Sequence, residues 1–158
     1  MFDFLMNTQP EEHLHNPGEK TLYERLGGIF AITAVIDNFS DNIINNPIAG
    51  RESKNEALRD WHRNHLGRLP GLKFMRSLWV AAVSGGPYTF VPTIPESCPF
   101  NLKNAHSKFN ITSDEFDAVA GELIKSLDLF KVPSQEKKEV LAAFSMHKRD
   151  VVDHSGEC

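Results

Sequence analysis

Leu102-Lys103-Asn104-Ala105-His106-Ser107-Lys108-Phe109 is a short turn with apolar residues at both ends and one imidazole near its middle. A neutral imidazole held there can bind iron through one ring nitrogen while the other makes the hydrogen bond that orients the ring. Taken alone, a single His in a turn reads as a surface or hydrogen-bonded residue. Its neighbours change that reading. Upstream lies Val83-Ser84-Gly85-Gly86-Pro87-Tyr88, and a second glycine pair stands in Leu22-Tyr23-Glu24-Arg25-Leu26-Gly27-Gly28. Downstream, Thr112-Ser113-Asp114-Glu115 is a capping box, in which a hydroxyl reaches the amide three residues on and the glutamate reaches back.

The apolar residues around these motifs recur at helical intervals. Leu22, Leu26, Ile29, Phe30, Ala34, Ile36, Phe39, Ile43 and Ile44 predict a short first helix, a tight turn at Gly27-Gly28, and a helix from about Ile29 to Asn45. Asn45-Asn46-Pro47 ends it, because the residue before a proline is pushed out of the helical region. Gly71 to Val83 carries Leu72, Met75, Leu78, Trp79 and Ala82 on one face. After the capping box, Phe116, Val119, Ala120, Leu123, Ile124, Leu127 and Phe130 form a wide apolar stripe. Val132-Pro133-Ser134 breaks the chain, and Ser134 is expected to cap a last helix with Val140, Leu141, Phe144 and Val151. Helices joined by short connections, with no strand signal in the core, predict an all-α domain.

These segments, in this order, resemble the truncated haemoglobins, most closely their first group. The resemblance covers roughly Thr21 to Val152, so residues 1–20 read as an N-terminal extension and 21–158 as the truncated globin domain. It implies a two-on-two helical sandwich around haem b, with His106 as the proximal iron ligand. It also implies a cofactor pocket that includes Phe39, Leu72, Met75, Arg76, Trp79 and Phe116. The stripe that begins at Phe116 then packs on the proximal side, and core packing explains that stripe equally well.

The ligand side departs from the family. The first group usually has a tyrosine after a phenylalanine in the second helix; here the pair is Phe39-Ser40. The serine is shorter by a whole ring, and its hydroxyl is expected to reach a ligand only through water. An open side of Ser40, Leu72 and Met75 favours ligand escape over retention. Arg76, four residues after Leu72 and so on the same side of a helix, either donates to the ligand, pairs with a haem propionate or is solvated. The polar stretch between Pro47 and Pro70 is longer than a minimal member needs. Its His62 and His65 are the nearest candidates for a second axial ligand, with solvent exposure the more ordinary expectation in so polar a run. The basic residues of that stretch are alternative propionate partners. Where the family has a glycine two residues after its tyrosine, Phe90 stands instead, and residues 91–100 add a proline-rich loop before His106.

The function implied is reversible binding of a diatomic gas: dioxygen, nitric oxide or carbon monoxide. The enzymatic versions convert nitric oxide to nitrate or handle peroxide or nitrite at ferric haem, with a reductase as partner. The competing reading is a haem-free helical binding module that keeps the fold. Composition narrows the field less. The 158 residues, 41% of them hydrophobic, fit one domain with one sizeable core. A formal net charge of −4 with interspersed signs gives no basic stripe for nucleic acid. No apolar run approaches the length needed to span a bilayer. The start, Met1 to Met6, lacks the basic leader and cleavage site of a signal peptide, so the expected location is the cytoplasm. Cys98 and Cys158 make no disulfide framework and are read as incidental thiols.

Overall fold

The computed structural model describes residues 18–88 and 106–152. Residues 1–17 of the N-terminal extension, the proline-rich loop at 91–100, residues 102–105 of the His106 turn and both cysteines lie outside the described residues. Among the described residues every regular element is helical. In chain order these are α1 (Leu22–Arg25), α2 (Gly28–Ile44), α3 (Glu56–Asn64), a 3-10 turn (Leu66–Arg68), α4 (Leu69–Val83), a second 3-10 turn (Ser107–Phe109), α5 (Ser113–Leu129), α6 (Ser134–Met146) and α7 (Lys148–Val152).

The two glycine pairs are needed for backbone reasons, and the fold brings them together through Tyr23. Gly27 and Gly28 have φ of 95° and 79°, a region that a side chain disfavours, and this lets α1 turn sharply into α2. The Tyr23 amide donates to the Ser84 carbonyl at 2.8 Å, and the Tyr23 hydroxyl accepts from the Ile29 amide at 3.0 Å. A β-carbon on Gly86 would stand 2.8 Å from the Tyr23 ring and 2.7 Å from the Ala81 carbonyl oxygen. Only a glycine therefore lets α1 seat on the turn that ends α4.

Helix α2 is the centre of the molecule, packed against α4 and against α5. Its Ile32, Ile36, Phe39 and Ile43 are buried with Val80 and Ala81 of α4, Leu123 and Leu127 of α5, and Val140 of α6. Each such aliphatic side chain removed from water contributes about 1.5–3 kcal/mol before the entropy of ordering it is counted. Polar groups fix the relative positions. Lys73 of α4 reaches Asp37 at 2.6 Å and Asp41 at 2.7 Å on α2. The Ser126 hydroxyl of α5 donates to Asn38 of α2 at 2.8 Å. Arg25 ties α1 to α6 through Glu136 and Glu139.

Several expectations need adjustment. Phe30, counted in the apolar pattern, is 89% exposed. On α4 the fully buried positions are Ser77, Val80 and Ala81, while the expected inward residues Leu72 and Trp79 are half-buried and Met75 is exposed. On α5, Ile124 faces solvent, as does Phe130 at its C-cap, and the buried strip includes Glu122 and Ser126 instead. Ser134 is the first helical residue of α6 rather than its cap, which is Pro133. Val151 belongs to the separate short helix α7. The polar stretch after Pro47 is not merely a long connection, because it contains α3. Asn55 caps that helix by accepting from the Ala57 and Leu58 amides, and its amide group donates to the Phe109 carbonyl and to Glu115. This places α3 beside the turn that follows His106.

Candidate haem site

Of the residues expected to face a cofactor, the structure brings Phe39 and Arg76 together and adds Ser40. The Arg76 side chain rises from α4 toward α2, where its Nη1 donates to Ser40 Oγ at 2.9 Å. Its guanidinium carbon lies 5.4 Å from the centroid of the Phe39 ring, within reach of a cation–π contact. Arg76 keeps some solvent exposure as a residue, yet its guanidinium is largely desolvated, and burial pushes its pKa down to about 10. It is still a cation at neutral pH. Among the described residues no carboxylate pairs with it: Asp37 and Asp41, which flank Ser40 in sequence, are exposed and taken by Lys73. The Arg76 guanidinium thus turns toward Ser40 and Phe39 of α2 rather than wholly into solvent.

His62 and His65 part ways. His65 is exposed and pairs with Asp60 at 3.2 Å. His62 is 7% exposed, and its Nδ1 donates to the Leu58 carbonyl at 2.8 Å. That bond assigns the ring proton to Nδ1 and leaves Nε2 as a bare lone pair. Burial, with the positive charges of Arg76 and then Arg51, holds His62 below the ordinary imidazole pKa, although the Leu58 bond works against this. The expectation of exposure thus holds for His65 and fails for His62.

The other expected residues are placed as follows. Trp79 packs edge-on against His147, with ring centroids 5.1 Å apart. Phe116 is buried and stacked on Phe144 at 4.8 Å, with the Lys148 ammonium over its ring. His106 is half-buried and leads into the second 3-10 turn. Leu72 is half-buried and Met75 exposed, so both give α4 partly exposed apolar surface. Of the basic residues offered as propionate partners, three are engaged locally: Arg59 with the Ser53 carbonyl, Arg63 with the Arg51 carbonyl and Glu52, and Arg51 with the Ile44 carbonyl.

Sequence reasoning missed Ser40 as the partner of Arg76 and missed the burial of His62. The second had a signal, since Leu58 and His62 are four apart behind an Asn55 cap and so share the inward face of one helix.

These residues suit a flat apolar macrocycle with an iron centre. They combine an imidazole on a short turn, apolar surface on α4 and a desolvated cation with no carboxylate partner among the described residues. An apolar cavity elsewhere among the described residues is a different feature. It measures about 140 Å³, is lined by Ile32, Val35, Val80, Leu123, Leu127 and Val140 among other apolar residues, and includes none of the expected site residues. It falls short of the roughly 300–1,000 Å³ typical of ligand pockets.

Two helix pairs, α2 with α4 and α5 with α6, joined through α2 and α5, define a two-on-two helical globin. The structure is similar to that of the 2/2 hemoglobin of Synechococcus, at 21% identity and a TM-score of 0.66, covering 85% of this chain and 99% of that one. It is also similar to the truncated hemoglobin of Tetrahymena pyriformis, at 20% identity and a TM-score of 0.64, covering 84% and 98%. In sequence, the chain is 29% identical over 128 residues to the group 1 truncated hemoglobin of Mycolicibacterium paratuberculosis, covering 79% of each. The bacterial-like globin model matches residues 21–153, so the chain belongs to the bacterial-like globin family, whose members are haem-binding globins.

Proposed function

We propose that this globin carries haem b with His106 as the proximal ligand and binds a diatomic gas on the side formed by Phe39, Ser40, Leu72, Met75 and Arg76. The single observation that supports the ligand side is the Arg76–Ser40 pair, a desolvated guanidinium inside the protein with donors to spare. When bound, the cofactor supplies an iron centre that coordinates the gas and can exchange an electron.

The chain's own residues supply orientation and electrostatics. Phe39 gives an apolar wall and holds the guanidinium over its ring. Ser40 accepts from Nη1 and thereby orients the remaining N–H donors of Arg76. A donor of fixed direction in a dry setting stabilises partial negative charge on the outer atom of a bound gas more than water would. The absent tyrosine is thus replaced from α4 rather than from α2. Retention is accordingly expected to be stronger than Ser40 alone predicts. Trp79 and Phe116 belong to the enclosing packing, and their contacts with His147 and Phe144 hold the surrounding helices in place. Conversion of nitric oxide and dioxygen to nitrate is the enzymatic extension, and it would require an external reductase to return the iron to its ferrous state. Cytoplasmic location is part of the same proposal.

The test is the visible spectrum of the protein as purified and after addition of haemin. A Soret band that shifts under carbon monoxide in the reduced protein is the expected result. A colourless protein that takes up no haemin overturns the reading in favour of a haem-free helical module.

A further inference from the structure

Helix α3 is tied to the turn behind His106 by one side chain. Asn55 caps α3, its Oδ1 accepting from the Ala57 amide at 3.1 Å and the Leu58 amide at 3.4 Å. Both Nδ2 protons go outside the helix, one to the Phe109 carbonyl at 2.8 Å and one to Glu115 Oε2 at 3.0 Å. Glu115 is buried, and the same oxygen accepts from the Thr112 amide at 2.9 Å. One amide group thus joins α3, the turn from His106 to Asn110 and the capping box of α5, with all four of its hydrogen-bonding positions used.

The turn gains from such a tie. Its own backbone bond, from the Asn110 amide to the Ser107 carbonyl, is long at 3.4 Å. Asn110 has a φ of 47°, a conformation that costs a residue with a side chain. Apolar packing holds the same region, since Phe109 lies against a small separate core of Leu58, Ile111, Phe116 and Val151. That attraction is non-directional, whereas an amide on a carbonyl fixes both distance and angle. Phe109 is three residues from His106, which is one turn of 3-10 helix. Fixing its carbonyl therefore fixes the backbone from which the imidazole leaves.

We infer that Asn55 is a positioning residue for the iron ligand, setting through Phe109 where the His106 imidazole meets the haem iron. This role rests on the haem reading above, with His106 as the ligand. A metal-bound imidazole depends on partners beyond the metal for its orientation, and here the control acts through the backbone of the turn. Glu115 holds the Asn55 amide in place from the other side.

The experiment compares haem-loaded wild type with Asn55→Ser, Glu115→Gln and Gly28→Ala. The iron–histidine stretching band of the ferrous proteins is read by resonance Raman, and haemin transfer from the ferric proteins to excess apomyoglobin gives the release rate. Serine caps a helix about as well as asparagine but has no amide to donate. Asn55→Ser should displace and broaden the band and release haemin about tenfold faster, the lower end of what losing an outer partner costs a metal site. Glu115→Gln keeps an acceptor for both Asn55 and the Thr112 amide, so it should match the wild type. Gly28→Ala strains the α1–α2 turn instead and should leave the band in place.

A wild-type band and release rate in Asn55→Ser would make Asn55 a helix cap only and overturn the role. An equal displacement in Gly28→Ala would mean general loosening, and one in Glu115→Gln would mean that the charge of Glu115 matters rather than the tie; either overturns it. The same band measured in His106→Gly separates the two readings. A band that survives there removes His106 from the iron and takes this role with it, whereas its loss there beside an unchanged Asn55→Ser overturns the role of Asn55 alone.

Discussion

Arg76 and Ser40 meet at 2.9 Å across the α2–α4 interface, from positions 36 residues apart in the chain. The two partners are not equivalent. Ser40→Ala leaves a desolvated N–H without an acceptor and should lower folding stability by about 1–3 kcal/mol. Arg76→Met removes the buried charge itself and fills similar space with an apolar chain. It should leave the haem-free protein as stable as before, or more stable. Urea unfolding of the two apo variants at neutral pH checks the contrast. A large loss in Arg76→Met would make the guanidinium a structural brace rather than a group kept for a ligand.

That interface also explains what could and could not be read from the sequence. The glycine pairs were legible because much of their reason is local: positive φ at Gly27, Gly28 and Gly85, and the Ala81 carbonyl that a side chain on Gly86 would meet. The capping box at Thr112 was legible for the same reason, and the structure has both of its reciprocal bonds. The Arg76–Ser40 contact depends on how α2 and α4 cross, which no pattern within either helix specifies. Ser40 looked like a deficit next to the usual tyrosine. In the fold, the small side chain is the space the long arginine fills. Helix α3 was hidden for a third reason: only Leu58 and His62 are fully buried on it, so its apolar periodicity is too thin to stand out among charged residues.

Imidazole rescue separates ligation by His106 from mere support of the fold. His106→Gly should lose the five-coordinate ferrous spectrum, and added imidazole should restore it by occupying the space of the missing ring. Far-ultraviolet circular dichroism should be unchanged, because His106 lies beside a single 3-10 turn. A variant whose Soret band is unaffected without imidazole would remove His106 from the iron.

Gly86→Ala tests the docking of α1 on the end of α4. Its methyl group would meet the Ala81 carbonyl and the Tyr23 ring well inside van der Waals contact, and the carbonyl belongs to backbone that cannot swing aside. A loss of about 2–3 kcal/mol is expected, the upper part of the ordinary range for point changes. Gly28→Ala meets only the Tyr23 ring at ordinary distance and pays mainly for its positive φ, about 1–2 kcal/mol. The order of the two urea midpoints is the check, with Gly86→Ala the lower.

His62 makes stability depend on pH in a direction that its burial fixes. Desolvation first, then the charges of Arg76 and Arg51, hold its folded pKa below the unfolded value of 6.5, against the opposing bond to Leu58. Above pH 6.5 both states are neutral at this ring and its pH-dependent penalty is absent. As pH falls below 6.5, the unfolded chain takes up a proton that the native ring resists, so stability drops by up to about 1.4 kcal/mol per pH unit until the folded pKa is reached. His62→Gln keeps a polar side chain of similar reach and cannot titrate. Unfolding free energies of the apo protein between pH 7 and pH 5 should therefore fall less steeply in the variant, by the slope of about one proton. Parallel slopes would mean that His62 titrates alike in both states, and the buried neutral imidazole beside Arg76 would have to be given up.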